Sequence, residues 1–309
     1  MPLTRNKAAM IAYLNGRWVA PHEINVPVND TGFLLGVTVA ERLRTFGGEL
    51  FSLDEHFERL ARSLAIVGVE PPEGLANLQQ ATIELTARNH ALLSPGDDLG
   101  VTVFVTPGPY DHKPESKPRT CIHSSPLPFA DWAGLYAAGQ PLRTVATQQI
   151  PAACWPPELK CRSRMHYYLA DHEAAAMERG ARAVLLDQNA LATEASTANL
   201  VAYRTEEGLI SPPTEKILPG ISVKTLFDLA AELDIRVVHR DLTVADLETS
   251  DELYLTSTSP CLLPVPRING RQLGDGQPGP VYQRLISAWS AKVGLNIVEQ
   301  AQQYQRRGE

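Results

Sequence analysis

The sequence predicts an α+β protein with mixed sheets. Apolar runs of strand length and stretches with helical spacing follow one another without the regular βαβ alternation of a parallel sheet. The chain has 309 residues, of which 44% are hydrophobic, so it can form one large domain or two ordinary ones with sizeable cores. A segment rich in Pro, Ala and Gly, residues 124–141, separates two halves. We therefore expect two domains, residues 1–128 and 134–309.

Composition argues against several classes of function. The net charge is −7 and the pI is about 5.7, with no basic run, which disfavours nucleic-acid binding. The start of the chain lacks a long apolar run, and no later stretch reaches the ~18 apolar residues of a spanning helix, so neither a secretory signal nor a membrane protein is expected. The cysteines are scattered without a CxxC pair, which predicts no metal site and a reduced, cytoplasmic compartment.

The first half is predicted to begin with a β-hairpin. Two short apolar runs flank Asn15 and Gly16, a pair that favours a tight two-residue turn. Further along, Ser52 to Glu55 has the pattern of a capping box, which predicts the start of an amphipathic helix. The other elements predicted in this half are strands over 36–46, 98–109 and 119–125 and a helix over 74–92.

The second half also mixes strands and helices. A helix predicted to begin at Lys160 carries apolar residues at helical spacing, and we expect these to be its buried side: Met165, Tyr168, Leu169, His172 and Ala176. Strands are predicted over 141–149, 181–187, 197–203, 235–241 and 252–259, and helices over 222–233 and 281–293.

Lys160 and Glu194 are candidate catalytic residues. Lys160 follows a Pro-rich stretch at a predicted helix N-terminus, where the positive end of the helix dipole disfavours a cation and favours the neutral amine that a Schiff base needs. Glu194 is predicted to lie between two strands, among small residues that would admit a bulky ligand. On local grounds alone, a solvated lysine and a surface carboxylate are the alternatives.

Three further segments have features of a phosphate site. The N–H groups of Ile221 and Ser222 would point outward at the N-terminus of a predicted helix, with Ser222 as an ordinary helix cap as the alternative. Thr258 ends a hydroxyl-rich strand, a composition that also suits a turn. Arg59 lies on the first long helix and is either a phosphate ligand or a surface arginine paired with Glu55.

Taken in order, these segments resemble the class IV, or fold type IV, PLP-dependent aminotransferases. This family includes branched-chain aminotransferases, D-amino-acid aminotransferases and aminodeoxychorismate lyases. The similarity extends from near residue 13 to the last helix, in six blocks that stand in the family's order. The blocks are NDTGFLLGVTVAERLRTFGGELF, LDEHFERLARS, ELKCRSRMHYYLADHEA, LLDQNALATEASTANLVAY, EKILPGISVKTLFDLA and DELYLTSTSPCLLPVPRINGRQLGDGQPGP.

The resemblance implies a fold, a cofactor and a reaction. The fold would be an N-terminal α+β domain and a larger C-terminal pseudo-barrel domain, in a homodimer. The cofactor would be pyridoxal 5'-phosphate (PLP), and an amino group would move between an amino acid and a 2-oxo acid. Lys160 would form the aldimine and shuttle the proton, and Glu194 would keep the pyridine nitrogen protonated. The phosphate would be held by Arg59, Ile221, Ser222 and Thr258.

Departures from the family pattern leave the substrate open. Arg164 and Met165 stand where relatives often carry Asn and Tyr, so the ring hydroxyl would have a different partner. The arginine that binds the substrate carboxylate in known subgroups has no match in VTVFVTPGPYDHK. Arg42 replaces a family glycine on a strand that lines the pocket in relatives, and we hypothesise that it binds this carboxylate. The alternative is that Arg42 is exposed or pairs with Glu41 or Asp54.

Two other functions are compatible with the resemblance. A lyase of the aminodeoxychorismate lyase type would start from the same lysine-bound cofactor, and formation of the pyridoxamine form from amino acids distinguishes the two reactions. A binding or regulatory module that kept the fold without catalysis would have no need of both Lys160 and Glu194.

Overall fold

The computed structural model describes residues 9–111, 113 and 115–306. The chain divides into two compact units, Met1–Leu127 with Lys160–Ser163, and Pro128–Leu159 with Arg164–Glu309. Each unit has its own sheet. Residues 1–8, for which the sequence predicts no signal segment, lie outside the described residues, as does His112 of the VTVFVTPGPYDHK segment.

The first unit contains a six-stranded antiparallel sheet in the order β2-β1-β6-β5-β3-β4. Its strands are β1 (Ala12–Leu14), β2 (Arg17–Val19), β3 (Val39–Phe46), β4 (Glu49–Leu50), β5 (Leu99–Thr106) and β6 (Arg119–Pro126). The predicted hairpin is confirmed. Asn15 and Gly16 have φ of 50° and 80°, the left-handed conformations that a tight turn between β1 and β2 requires.

The helices of this unit are α1 (Thr31–Leu34), α2 (Leu53–Val67) and α3 (Leu75–His90), with a 3₁₀ turn at Pro21–Glu23. Helix α2 is amphipathic as predicted and buries Phe57, Leu60 and Leu64. The predicted capping box is wrong. Ser52 has a left-handed backbone with φ of 51°, and its side chain makes no capping bond, because an N-cap hydroxyl reaches the first turn only from an extended backbone.

The second unit contains a ten-stranded sheet with mixed strand directions. Its strands are β7 (Leu142–Thr144), β8 (Arg182–Leu186), β9 (Ala192–Ala195), β10 (Ala198–Arg204), β11 (Gly208–Ser211), β12 (Val237–His239), β13 (Glu252–Ser257), β14 (Cys261–Pro264), β15 (Arg267–Ile268) and β16 (Arg271–Gln272). The main path is β12-β11-β10-β9-β8-β7-β15-β16, and β13 pairs with β10 and β14. The pairs β7–β8, β7–β15 and β11–β12 are parallel.

The helices of the second unit are α4 (Leu135–Ala138), α5 (Met165–Met177), α6 (Ile221–Glu232), α7 (Val244–Glu248), α8 (Pro280–Val293) and α9 (Ile297–Tyr304), with 3₁₀ turns at Phe129–Asp131 and Thr214–Lys216. Helix α5 buries Ala170 and Ala174 in a cluster with residues of β8. The predicted buried side is wrong, because the exposed residues are Met165, Tyr168, Leu169, His172 and Ala176. Two small alanines allow the helix to pack closely on the sheet, and they give little hydrophobic signal in the sequence.

The predicted α+β class is confirmed. One unit has an antiparallel sheet with helices, and the other has a mixed half-barrel sheet with helices. No helix within the described residues is both long and apolar enough to cross a membrane. In the same part of the chain, no group of three or more His, Cys, Asp or Glu side chains is arranged to hold a metal ion.

Candidate active site

Lys160 lies beside the start of β3 in the first unit. The Ala40 N–H donates to the Lys160 carbonyl at 3.2 Å. Two residues further on, the Arg162 N–H donates to the Thr38 carbonyl at 2.8 Å. The side-chain Nζ of Lys160 donates to the Ala40 carbonyl at 2.9 Å, so both the backbone and the amine are tied to one strand. The prediction that Lys160 begins a helix is wrong, because α5 begins only at Met165.

A buried carboxylate, Glu41, lies next to this lysine. Glu41 is 1% exposed, and its Oε2 lies 3.9 Å from Lys160 Nζ. Arg59 of α2 donates from Nε to Oε1 and from Nη2 to Oε2, both at 2.8 Å. Burial by itself raises the pKa of Glu41, but the charges of Lys160 and Arg59 and the hydrogen bonds from Arg59 and His56 outweigh it and lower that pKa. Glu41 is therefore an ionised group in the core of the first unit.

Arg59 and His56 are buried with it, at 2% and 1% exposure. The alternative in which Arg59 is a surface arginine is therefore wrong. His56 Nδ1 lies 2.8 Å from Glu41 Oε2. Burial lowers the pKa of His56 despite the opposing effect of Glu41, so the imidazole is neutral at neutral pH and its Nδ1–H donates to the carboxylate. The role of Arg59 as a phosphate ligand stays a prediction.

Glu194 lies on β9 in the second unit, not between strands as predicted, and it is 4% exposed. Its Oε1 accepts hydrogen bonds from the Tyr167 hydroxyl at 2.5 Å and from Gln149 Nε2 at 2.7 Å. Its Oε2 accepts one long hydrogen bond, from the Leu218 N–H at 3.3 Å. Within the described residues, one oxygen is thus well satisfied, and the other can accept a further donor.

Burial governs the ionisation of this carboxylate and its neighbour. Burial raises the pKa of Glu194, and hydrogen bonds from Tyr167, Leu218 and Gln149 offset the rise in part. Burial and then the adjacent Glu194 charge raise the pKa of Tyr167 well above its ordinary value, so its hydroxyl keeps its proton and acts as a donor. The charge of Arg164 also lowers the pKa of Glu194. None of the three hydrogen-bond donors to Glu194 is cationic, however, and a buried carboxylate with only neutral donors is costly in its ionised form. A positively charged N–H donor at Oε2 would remove that cost.

The N-terminus of α6 is the second notable feature of this unit. No side chain caps the helix, and the N–H groups of Ile221 and Ser222 have no acceptor in the described part of the chain. Gly220 occupies the N-cap position and Ser222 the first turn, so the alternative of Ser222 as the cap is wrong. A Cβ at Gly220 would lie 2.0 Å from Asn199 Oδ1, so a larger residue does not fit. Free N–H groups and the helix dipole together suit an anion such as phosphate.

Thr258 lies in the turn between β13 and β14 and is partly buried. Strand β13 pairs with β10, where Thr256 stands opposite Asn199. Asn199 Nδ2 donates to the Leu218 carbonyl at 2.9 Å, just before α6, and the N–H of the same leucine donates to Glu194. The second unit therefore contains four of the predicted site residues: Glu194, Ile221, Ser222 and Thr258.

Sequence reasoning missed the side chains that surround the two candidate residues. Tyr167 precedes Ala170 by three positions, so its place on the buried side of α5 could have been found from helical spacing once Ala170 was recognised. Gln149 gave no such signal, because it reaches Glu194 from 45 positions away. Glu41 was considered only as a partner of Arg42, whereas the structure pairs it with Arg59 across 18 positions.

Comparison with known proteins identifies the family. Residues 38–268 match the family described as amino-transferase class IV. A protein of Methanocaldococcus jannaschii that is named "putative branched-chain-amino-acid aminotransferase" is 30% identical over 297 residues, which cover 94% of this chain and 100% of that protein. The D-alanine aminotransferase of Bacillus licheniformis is 27% identical over 281 residues, which cover 90% of this chain and 95% of that protein. The chain therefore belongs to the class IV aminotransferase family.

Solved structures share the fold. The branched-chain amino acid aminotransferase of Escherichia coli aligns with a TM-score of 0.84 and 23% identity, covering 93% of this chain and 95% of that chain. The branched-chain aminotransferase of Thermoproteus uzoniensis with norvaline aligns with a TM-score of 0.80 and 24% identity, covering 93% and 96%. A third structural relative, with a TM-score of 0.83, is a branched-chain amino acid aminotransferase with pyridoxamine 5'-phosphate. The resemblance found in the sequence is confirmed. The protein is a transaminase of a PLP-dependent family.

Proposed function

We propose that the protein binds PLP and moves an amino group between an α-amino acid and a 2-oxo acid. The observation that carries the proposal is the buried Glu194, whose Oε2 can accept a cationic donor. The same unit offers the uncapped N-terminus of α6. Together these groups suit a molecule with a pyridinium nitrogen and a phosphate. Bound PLP supplies an electron-withdrawing ring that weakens the Cα–H bond of an attached amino acid.

Lys160 is the residue proposed to attach the cofactor and to move the proton at the substrate Cα. Its amine is 2.9 Å from the Ala40 carbonyl and is held through the backbone of β3. This placement supports the role, because a base that must return to the same atom in each cycle benefits from a fixed position. Glu41 balances the positive charge of Lys160 and Arg59 at the same place.

Glu194 is proposed to keep the pyridine nitrogen protonated. Tyr167 and Gln149 both donate to Oε1. Because Oε1 is occupied, Oε2 is the oxygen proposed to accept the pyridinium N–H. The residues proposed to hold the phosphate are Arg59, the N–H groups of Ile221 and Ser222, and Thr258.

The relatives indicate the class of donor. One is named for branched-chain amino acids and another for D-alanine, and both names describe α-amino acids that differ in size and configuration. We therefore propose an α-amino acid donor, to be identified by a screen of L- and D-enantiomers. Spectroscopic detection of the pyridoxamine form during the half-reaction supports a transaminase, and its absence with product formation indicates a lyase.

The decisive experiment removes the lysine amine. Lys160→Ala should abolish both the yellow colour of lysine-bound cofactor and transamination, because one amine performs attachment and proton transfer. Lys292→Ala, at a half-exposed lysine of α8, is the matched control and should keep both. A Lys160→Ala protein that still consumes amino donors, with circular dichroism unchanged, would overturn the assignment.

We further propose a homodimer, as the resemblance implies. Phe33 of α1 is 67% exposed, and Met165 and Tyr168 of α5 are each 70% exposed. Apolar side chains this accessible are ones that a second copy can cover. A cytoplasmic location stays a prediction.

A further inference from the structure

Arg42, Thr102 and His123 lie in a row across the sheet of the first unit. Arg42 on β3 is directly opposite Thr102 on β5, and Thr102 is directly opposite His123 on β6. Directly opposed side chains project from the same face of a sheet, and neighbours along a strand project from opposite faces. Glu41 therefore lies on the other face, and the row is separate from the carboxylate network around it.

The guanidinium of Arg42 has no carboxylate partner within the described residues. Its Nη1 donates to Thr102 Oγ1 at 3.1 Å, a neutral acceptor. It lies over Gly100, where an added Cβ would be 1.9 Å from Nη2. The alternative partners expected from the sequence are engaged elsewhere, because Glu41 is on the opposite face and Asp54 accepts a hydrogen bond from a glutamine of α3. Pairing of Arg42 with either acid is therefore wrong.

Two more basic groups act at the same place. Burial lowers the pKa of Arg42. Burial and then the charges of Arg42 and Arg162 lower the pKa of His123, so its imidazole is neutral and offers one N–H donor. A partly buried guanidinium that has a neutral acceptor and no acid among the described residues can bind an anion from outside the chain. The row suits such an anion, because Gly100 leaves room for the guanidinium and Thr102 orients the guanidinium.

The row is close to the reactive amine. Lys160 Nζ donates to the carbonyl of Ala40, and Arg42 follows two positions along the same strand, about 7 Å further at ~3.4 Å per residue. The amine bonds to a backbone carbonyl in the plane of the sheet and lies 3.9 Å from Glu41 on the opposite face, so it stands at the edge of β3. An α-amino acid carries its amino group and its carboxylate on one carbon, so a donor that extends from this edge across the face shared by Ala40 and Arg42 brings its carboxylate toward the guanidinium. Arginine suits this role because its fork binds a carboxylate through two parallel hydrogen bonds.

We propose that Arg42, oriented by Thr102 and Gly100, binds the carboxylate of the amino donor. This inference rests on the proposed transaminase function and deepens it. The substrates are then amino acids that carry a carboxylate, in preference to simple amines. Their carboxylate is recognised by a residue that the family pattern does not supply.

The first experiment compares two donors that differ only in the carboxylate, the preferred amino acid from the screen and its decarboxylated amine, such as leucine and 3-methylbutan-1-amine. Arg42→Met keeps an unbranched apolar side chain and removes the fork. We expect kcat/KM for the amino acid to fall about 10- to 100-fold, the loss typical of hydrogen bonds between charged groups, with the amine nearly unaffected. Arg88→Met, at an exposed arginine of α3, is the control and should change neither donor.

A second experiment displaces the guanidinium without deleting it. In Gly100→Ala the new methyl group occupies the position of Arg42 Nη2, so amino-acid turnover should fall in this variant as well. In the Arg42→Met background the same change should have no further effect, because Gly100 acts only through Arg42. Unfolding midpoints of all four proteins separate this coupling from a general loss of fold.

Binding provides a measurement independent of turnover. Calorimetric titration of 3-methylbutanoate into the protein should show a dissociation constant about 10- to 100-fold higher in Arg42→Met. Equal losses for amino acid and amine, or undiminished carboxylate binding in a folded Arg42→Met protein, would overturn the inference. A parent protein that consumes no amino donor at all would instead overturn the proposed function.

Discussion

Replacing Glu194 by glutamine tests the electronic role of the second unit with little change of shape. In the parent, Oε1 accepts from Tyr167 at 2.5 Å and from Gln149 at 2.7 Å. Both are strong contacts, so the glutamine carbonyl should take the place of Oε1. Its NH₂ group then takes the place of Oε2, beside the Leu218 N–H. A donor would stand where the parent has an acceptor.

The magnitude follows from the bond that is lost. A hydrogen bond to a charged group contributes about 1.5–3 kcal/mol, and an amide donor cannot accept the pyridinium proton at all. At about 1.4 kcal/mol for each factor of ten, Glu194→Gln should lower kcat about ten- to a hundredfold. Cofactor binding through the phosphate and Lys160 should survive, because neither group is changed.

The assay is single-turnover conversion of a saturating amino acid, with the cofactor content of each protein measured beforehand. Gln283→Glu, at an exposed glutamine of α8, provides a carboxylate control outside the site. A Glu194→Gln protein with full cofactor content and the kcat of the parent would refute the reasoning and would leave Glu194 as a structural residue of β9.

The same variant has a consequence for the apo protein. Burial raises the pKa of Glu194 above its ordinary value of 4.5, so the folded state binds the proton more tightly than the unfolded state. The contribution of Glu194 to stability is then fully present below that ordinary value and is lost as the pH rises through the raised pKa. Glutamine does not titrate, so the difference in unfolding temperature, parent minus variant, should fall as the pH rises. A difference that is constant with pH would contradict the raised pKa.

Two further changes test the surroundings of the site and the assembly. Tyr167→Phe removes a hydrogen-bond donor to Glu194, so it should lower kcat about tenfold and move the pH-dependent loss of apo stability to higher pH. Tyr168→Phe, at a side chain that is 70% exposed, is the control. Equal behaviour of the two variants would argue against Tyr167 as a donor that tunes Glu194. Leu169→Lys, at a 50% exposed residue of α5, should shift the dimer to a monomer in sedimentation, and the control Ile83→Lys on α3 should not. A parent protein that sediments as a monomer at all concentrations would exclude the dimer.

Local patterns predicted the elements whose geometry is decided within a few residues. Asn15 and Gly16 specify a turn by their tolerance of left-handed φ, and the structure contains that turn. Helix α6 was predicted to within one residue at each end, because Gly220 and the apolar spacing that follows mark it. Lys160 and Glu194 were selected because the family resemblance supplied the order of the motifs, which no local pattern contains.

Contacts between distant parts of the chain could not be predicted in this way. Glu41 and Arg59 pair because β3 and α2 pack together, and the pairing depends on tertiary geometry. Ser52 matched a capping pattern, but the turn that leads out of β4 sets its backbone conformation and moves its hydroxyl away from the helix. The buried side of α5 was predicted wrongly from its hydrophobic pattern, because the large apolar residues of this helix lie on the side that this unit does not bury.

The grouping of Lys160–Ser163 with the first unit has a consequence for synthesis of the chain. The amine of Lys160 bonds to a carbonyl made 120 residues earlier. At ~5–20 residues per second, on the order of ten seconds separate the emergence of β3 from that of its reactive lysine. The last strand of the antiparallel sheet, β6, ends at Pro126, 34 residues before Lys160, so at the same rate the whole sheet has emerged a few seconds before the lysine. The lysine is then added to a finished scaffold, so translation delays the chemically reactive amine until the strand that positions it has folded.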